Sequence, residues 1–193
     1  SFYVKKDSPI DKEALNRCFS VYLPNTVIPM LPFNLSNNLC SLKHSHDRPA
    51  IVVDICIDSV GKILNYKFNK ALINVSANLD YKEFNKFINN ENEINKYNLL
   101  KQTINDLINS YSSLKKLKKT SPPLSVTSHD TKFNVKNNKV INASPTENLE
   151  SHKLVEEFMI ITNSCAADYI IKNEIKSLFR VHERPSEIKI NQL

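Results

Sequence analysis

The chain has 193 residues, of which 41% are hydrophobic and 24% charged, so it has the apolar content for one domain with a real core and is not a disordered tail. No run of eighteen apolar residues occurs, which excludes a membrane-spanning helix as the organising element. A net charge of +6 is compatible with a polyanionic partner without requiring one.

Taken in order, the chain opens with Ser-Phe-Tyr-Val-Lys-Lys, which has no signal-peptide core and no initiating Met, so an excised or truncated piece of a longer protein is expected. Ser8-Pro9 with Asp11 and Glu13 reads as a helix start, with Ala14, Leu15 and Cys18 as its buried stripe. Pro24, Pro29 and Pro32 fall within nine residues. Each fixes φ and removes a backbone donor, so residues 24–42 are expected as a stiff, shaped loop without periodic structure. Residues 50–57 (AIVVDICI) read as a buried strand. Residues 59–62 form a turn holding the only glycine of the chain, Gly61, where φ > 0 is expected, and residues 63–75 return as the second strand of a hairpin.

Residues 76–90 are expected to be a short helix with Leu79, Phe84, Phe87 and Ile88 on one side. Residues 98–119 form a longer one, with Leu100, Ile104, Leu107, Ile108, Tyr111 and Leu114 at helical spacing, stopped by the prolines after Thr120. A second hairpin covers residues 132–143 and turns at Asn137-Asn138. A long helix spans 148–173, a short strand 179–182, and Pro185-Ser186 opens a further helix. There is no internal repeat, and Ser121-Pro122-Pro123 is too short to divide domains. The pattern is α+β: hairpins packed by helices.

Cys18, Cys40, Cys56 and Cys165 form no C-x-x-C pair, so neither a zinc site nor a redox motif is signalled; free cysteines at apolar positions point to a reducing cytoplasm. The 25 asparagines are read as a compositional bias of the source. Lys115-Lys116-Leu117-Lys118-Lys119 is either a phosphate-facing patch or a solvated helix end favoured by the helix dipole. His44, His46 and Asp47 have metal-ligand residue types but sit in a turn before a strand. No Ser/His/Asp constellation, P-loop or dinucleotide fingerprint occurs. Glu156 and Asn163, seven apart, lie on nearly one face of the long helix, as solvated polar groups or as readers of a ribose hydroxyl.

Three ordered blocks decide between these readings. They are the Pro-rich run from Tyr22 through Pro24, Pro29-Met30-Leu31-Pro32 and Leu39-Cys40-Ser41-Leu42 to Asp47-Arg48; HKLVEEFMIITN at residues 152–163; and Phe179-Arg180-Val181-His182-Glu183-Arg184-Pro185. Together they resemble the catalytic domain of the RNB family of 3′→5′ exoribonucleases, the group of RNase II and RNase R. The resemblance covers nearly the whole chain, so residues 1–193 are expected to be a partial RNB catalytic domain. It implies Mg²⁺-dependent hydrolysis of single-stranded RNA to nucleoside monophosphates, by a monomer in the cytoplasm.

By the same resemblance Tyr22 stacks near the 3′-terminal nucleotide, and every base offers a π face, so such a grip is sequence-tolerant. Tyr81 and Glu156 match the pair that recognises the ribose 2′-hydroxyl, a group that both donates and accepts and that DNA lacks. An aromatic residue that clamps the bases from the other side has no match at Ser125 or Val126. His182 is assigned a structural role. The metal-binding aspartates are expected upstream of Ser1-Phe2-Tyr3-Val4, and a phosphate-stabilising arginine beyond Leu193, so no catalytic or metal-ligating residue is assigned in this chain. A degenerate, non-catalytic RNA binder is the rival reading.

Overall fold

A computed structural model describes residues 2–89, 100–120, 131–136 and 139–181. Among them are three antiparallel hairpins and four α-helices; the α+β arrangement and two of the hairpins are as the pattern predicts, and the hairpin at the Pro-rich segment is not.

Helix α1 (Pro9–Arg17) starts where the sequence indicates: Pro9 occupies the first turn and the Ser8 side chain accepts a hydrogen bond from the Asp11 N–H. Its expected apolar stripe is not buried. Leu15 is 69% exposed and Cys18 is exposed, because the described residues place no core against that side.

The Pro-rich segment is more regular than expected. Strands β1 (Val21–Leu23) and β2 (Thr26–Ile28) pair in a tight hairpin with Pro24 and Asn25 in its turn. A π-helical turn, Asn34–Leu39, follows, closed by Cys40 N–H donating to the Leu35 carbonyl at 2.8 Å. The prolines bracket these elements and lie inside none of them, which is why a loop and a π-turn share one composition.

Strands β3 (Asp47–Ile57) and β4 (Ile63–Asn74) form a long hairpin with a bulge at Cys56/Ile57. Gly61 has φ +89°, and a Cβ there would lie 2.5 Å from the Ser113 carbonyl oxygen, so both the turn and the close approach to a neighbouring helix require glycine. The strand begins three residues earlier than its apolar run because Asp47 pairs with Asn74, whose side-chain amide donates to the Asp47 carboxylate at 2.6 Å.

Helix α2 (Tyr81–Ile88) is shorter than the expected 76–90. Asp80 accepts from the Lys82 N–H at 2.8 Å and sets the start there. Upstream, Asn78 holds an extended chain: its carbonyl accepts from His44 N–H and its amide donates to the Leu42 carbonyl. Helix α3 (Lys101–Thr120), strands β5 (Thr131–Lys136) and β6 (Lys139–Pro145), and helix α4 (Glu150–Lys172) follow the predicted order. Residues 179–181 lie in no strand, since no described strand borders them. His182, the 185–186 helix start, Asn137-Asn138, Ser121-Pro122-Pro123 and the 125–126 position lie outside the described residues.

The core forms where α2, α3 and α4 meet: Phe84, Phe87, Ile104, Tyr111 and Leu154 are buried together. At roughly 1.5–3 kcal/mol per fully buried large apolar side chain, this cluster is the main source of stability around α4. The far end of α4 is fixed to β4, where Tyr66 donates to the Asp168 carboxylate at 2.5 Å and Phe68 meets Tyr169 edge to face.

Candidate nucleic-acid interface

Helix α4 separates two kinds of residue. Ser151, Leu154, Ile161 and Cys165 are buried. Glu156 and Asn163 are exposed, seven residues apart on the outer side. His152 precedes Glu156 by four residues, so the two lie one above the other, about 6 Å apart along the axis.

Tyr81, the first residue of α2, reaches this strip. Its ring and that of His152 are 4.4 Å apart with planes at 70°. The main chain there is fixed by Ser151, which is fully buried: its hydroxyl donates to the Tyr81 carbonyl at 2.8 Å, and its N–H donates to the Asn85 side-chain carbonyl at 3.4 Å. Tyr81 thus touches the strip at His152, one helix turn before Glu156. Beside them a cleft of about 530 Å³ opens between the first turns of α2 and α4 and the β5–β6 hairpin, with Asn134, Ser144 and Thr146 on its far wall.

Tyr22 sits on a separate element. It is 79% exposed on β1, opposite Val27. The hairpin is tethered to α1 by Arg17, whose guanidinium donates to the Pro29 carbonyl at 2.9 Å, and its base is closed by Met30 N–H donating to the Ser20 hydroxyl. A phenol held outward on a tethered hairpin is suited to stacking, not to core packing.

The electrostatics around α4 explain the basic run. The Lys115 ammonium donates to the Glu150 carboxylate at 3.0 Å, and Lys118 pairs with the largely buried Glu157. Both cations join α3 to α4, so these two lysines of the run act as an interhelical clasp. Glu150 also accepts from Lys153 at 2.7 Å and from the Tyr111 hydroxyl at 3.0 Å. Hydrogen bonding from Lys153 first, then from Lys115 and Tyr111, holds the Glu150 carboxyl down at about 2 against the cost of burial. Burial, then the bond to Glu150, pushes the Tyr111 phenol well up.

The histidine turn has a structural use. The Nδ1 of His44 lies 3.1 Å from the Val75 carbonyl, and that of His46 lies 2.8 Å from the His44 carbonyl. Carbonyls only accept, so both Nδ1 atoms carry hydrogen and hold the turn. Among the described residues no three His, Cys, Asp or Glu side chains converge to hold a metal ion, so these residues do not fit a Mg²⁺ centre and no chemical step is assigned through one. The described cysteines are free, with Cys165 buried and the other three exposed, against the expectation of apolar surroundings for all.

Sequence reasoning missed Ser151 and His152. Nothing in the pattern marks a serine in a helix's first turn as wholly buried; the only signal was its place between the acidic start of α4 and the Glu-Glu pair.

The RNB domain family model matches residues 1–193, and the chain belongs to that family. Ribonuclease R of Vibrio parahaemolyticus serotype O3:K6 is 35% identical over 192 residues, covering 98% of this chain and 23% of that protein. Ribonuclease R of Escherichia coli K12 is 36% identical over 188 residues, covering 96% of this chain and 23% of that protein. The solved structure of Mycoplasma genitalium RNase R in complex with ribose methylated single-stranded RNA superposes with a TM-score of 0.90 at 29% identity, over 98% of this chain and 30% of that one. The chain thus spans about a quarter of the length of the curated relatives it matches.

Proposed function

We propose that this chain is the central, RNA-contacting part of a 3′→5′ exoribonuclease that hydrolyses single-stranded RNA to nucleoside monophosphates. The observation that carries the proposal is the match of the whole chain to ribonuclease R, at a TM-score of 0.90 to a relative solved with ribose methylated single-stranded RNA, with Tyr81 against His152 one helix turn before the exposed Glu156. Tyr22 stacks the terminal base, and its outward position on a tethered hairpin supports this. Tyr81 and Glu156 read the ribose: a phenol and a carboxylate together satisfy the donor and acceptor of a 2′-hydroxyl, and a deoxyribose leaves them unpaired.

Mg²⁺ dependence belongs to this proposal, and the aspartates that would hold the metal are assigned to residues upstream of Ser1, outside this chain. Residues 1–193 are accordingly a partial RNB catalytic domain and do not hydrolyse RNA alone. The net charge of +6 suits the polyanion, and the free cysteines suit a cytoplasmic location. Among the described residues no helix is long and apolar enough to cross a membrane. The protein acts as a monomer.

The test is a time course of the full-length protein on 5′-labelled single-stranded RNA and on DNA of the same sequence. Shortening from the 3′ end on RNA alone, with Mg²⁺ required, is the expected result. Tight binding with no shortening would turn the assignment to the non-catalytic binder. Replacing Glu156 by Ala is expected to lower the RNA-over-DNA preference by roughly 10-fold, the worth of about one charge-assisted hydrogen bond.

A further inference from the structure

Tyr81 is 46% exposed, so packing alone leaves its ring free to leave the strip that carries Glu156. Two adjacent residues of α4 act on it differently. Ser151, fully buried, donates to the Tyr81 carbonyl and so fixes the main chain. His152, half-buried, meets the Tyr81 ring edge to face, with centroids 4.4 Å apart. Successive helix positions are turned by about 100°, so one side chain enters the α2–α4 seam while the next lies along its rim. His152 is also the residue directly beneath Glu156 at i,i+4. One rigid helix therefore carries both the ring that touches Tyr81 and the carboxylate proposed to act with it.

We infer that His152 is a positioning residue for sugar discrimination: its imidazole braces the Tyr81 ring beside Glu156, so that the phenol and the carboxylate meet a ribose at a fixed separation. This rests on the ribose-reading role proposed above for Tyr81 and Glu156. The brace acts through ring packing, an interaction whose geometry is specific and which another aromatic ring can supply. Without it, Tyr81 samples other rotamers, and the share of molecules with both groups in place falls.

The experiment is competition binding by the full-length protein, with EDTA present to stop hydrolysis, between single-stranded RNA and DNA of one sequence. His152→Ala is expected to lower the RNA-over-DNA preference about 3- to 10-fold while leaving DNA affinity unchanged. His152→Phe should restore the preference, and His152→Ala should add nothing in a Tyr81→Ala background. The proposal is overturned if His152→Ala leaves the preference intact, or if RNA and DNA affinities fall in parallel, which marks a purely structural role. It is equally overturned if Phe fails to rescue while the protein stays folded, since the imidazole nitrogens would then be what matters. The underlying reading fails separately, if Tyr81→Ala and Glu156→Ala each leave the preference unchanged.

Discussion

The two regions proposed to contact RNA are built on opposite principles. The Tyr81–Glu156 strip stands on helices whose inner sides meet in the Phe84, Phe87, Ile104, Tyr111 and Leu154 cluster, so its geometry follows from a packed core. The β1–β2 hairpin of Tyr22 has no buried residue; all six strand positions are exposed, and its shape comes from backbone pairing, prolines and the Arg17 tether. A site that must tell one hydroxyl from none needs tight positioning, because a misplacement of about 1 Å discards a hydrogen bond. A stacking platform has no such need, since a π face tolerates sliding. The difference in support matches the difference in proposed task.

The most direct way to break the comparison is to damage the core beneath the strip. Leu154 is 2% exposed and lies two residues before Glu156. Leu154→Ala is expected to cost about 2–5 kcal/mol, read as faster hydrogen exchange across the α4 amides in the full-length protein. Sugar discrimination should fall with it, whereas stacking through Tyr22 should persist. Unchanged exchange in α4 would show that the strip does not depend on this core.

How far each region was legible follows from the same contrast. Helices α3 and α4 were readable because a packed core leaves a periodic stripe, Ile104 to Leu114 and Leu154 to Cys165, and burial then follows spacing. Gly61 was readable because one residue type meets one backbone demand. The Pro-rich segment was legible as stiff but not as hairpin and π-turn, since its hydrogen bonds are set by main-chain geometry that prolines permit without specifying. The stripe on α1 misled, because periodicity reports a face that wants covering, not one that is covered among the described residues. The pair proposed to read ribose was invisible to spacing: Tyr81 and Glu156 are far apart in sequence, and only the family resemblance joined them; the fold adds the contact of Tyr81 with His152, one helix turn before Glu156.

The comparison is sharpened by removing the platform alone. Tyr22→Ala touches no core residue, so α4 exchange should stay within about 0.5 kcal/mol of the parent. Binding should weaken by roughly 1–3 kcal/mol, and equally for RNA and DNA, since a base stacks alike in both. Loss confined to RNA would mean that Tyr22 also reads the sugar, and the division of labour between the two regions would collapse.

The smallest expected effect separates the two regions by pH. Glu150 has its carboxyl held down at about 2 by Lys153, Lys115 and Tyr111. In an unfolded chain it would titrate near 4.5, so its ion pairs contribute fully above that value and are lost as pH falls toward 2. The group is about one-third exposed, so solvent screening cuts the nominal effect to roughly 1 kcal/mol. Because Glu150 joins α3 to the first turn of α4, next to Ser151 and His152, the loosening should appear in the amides of that turn first. Beside the β1–β2 hairpin the described residues show a single exposed pair, Glu13 with the tether Arg17 at 2.8 Å, and no carboxylate held by three donors. Exchange measured at pH 5 and pH 3 should therefore diverge at the start of α4 and not at residues 21–28. In Glu150→Gln the α4 divergence should shrink, and if it persists undiminished, the acid response originates in other carboxylates.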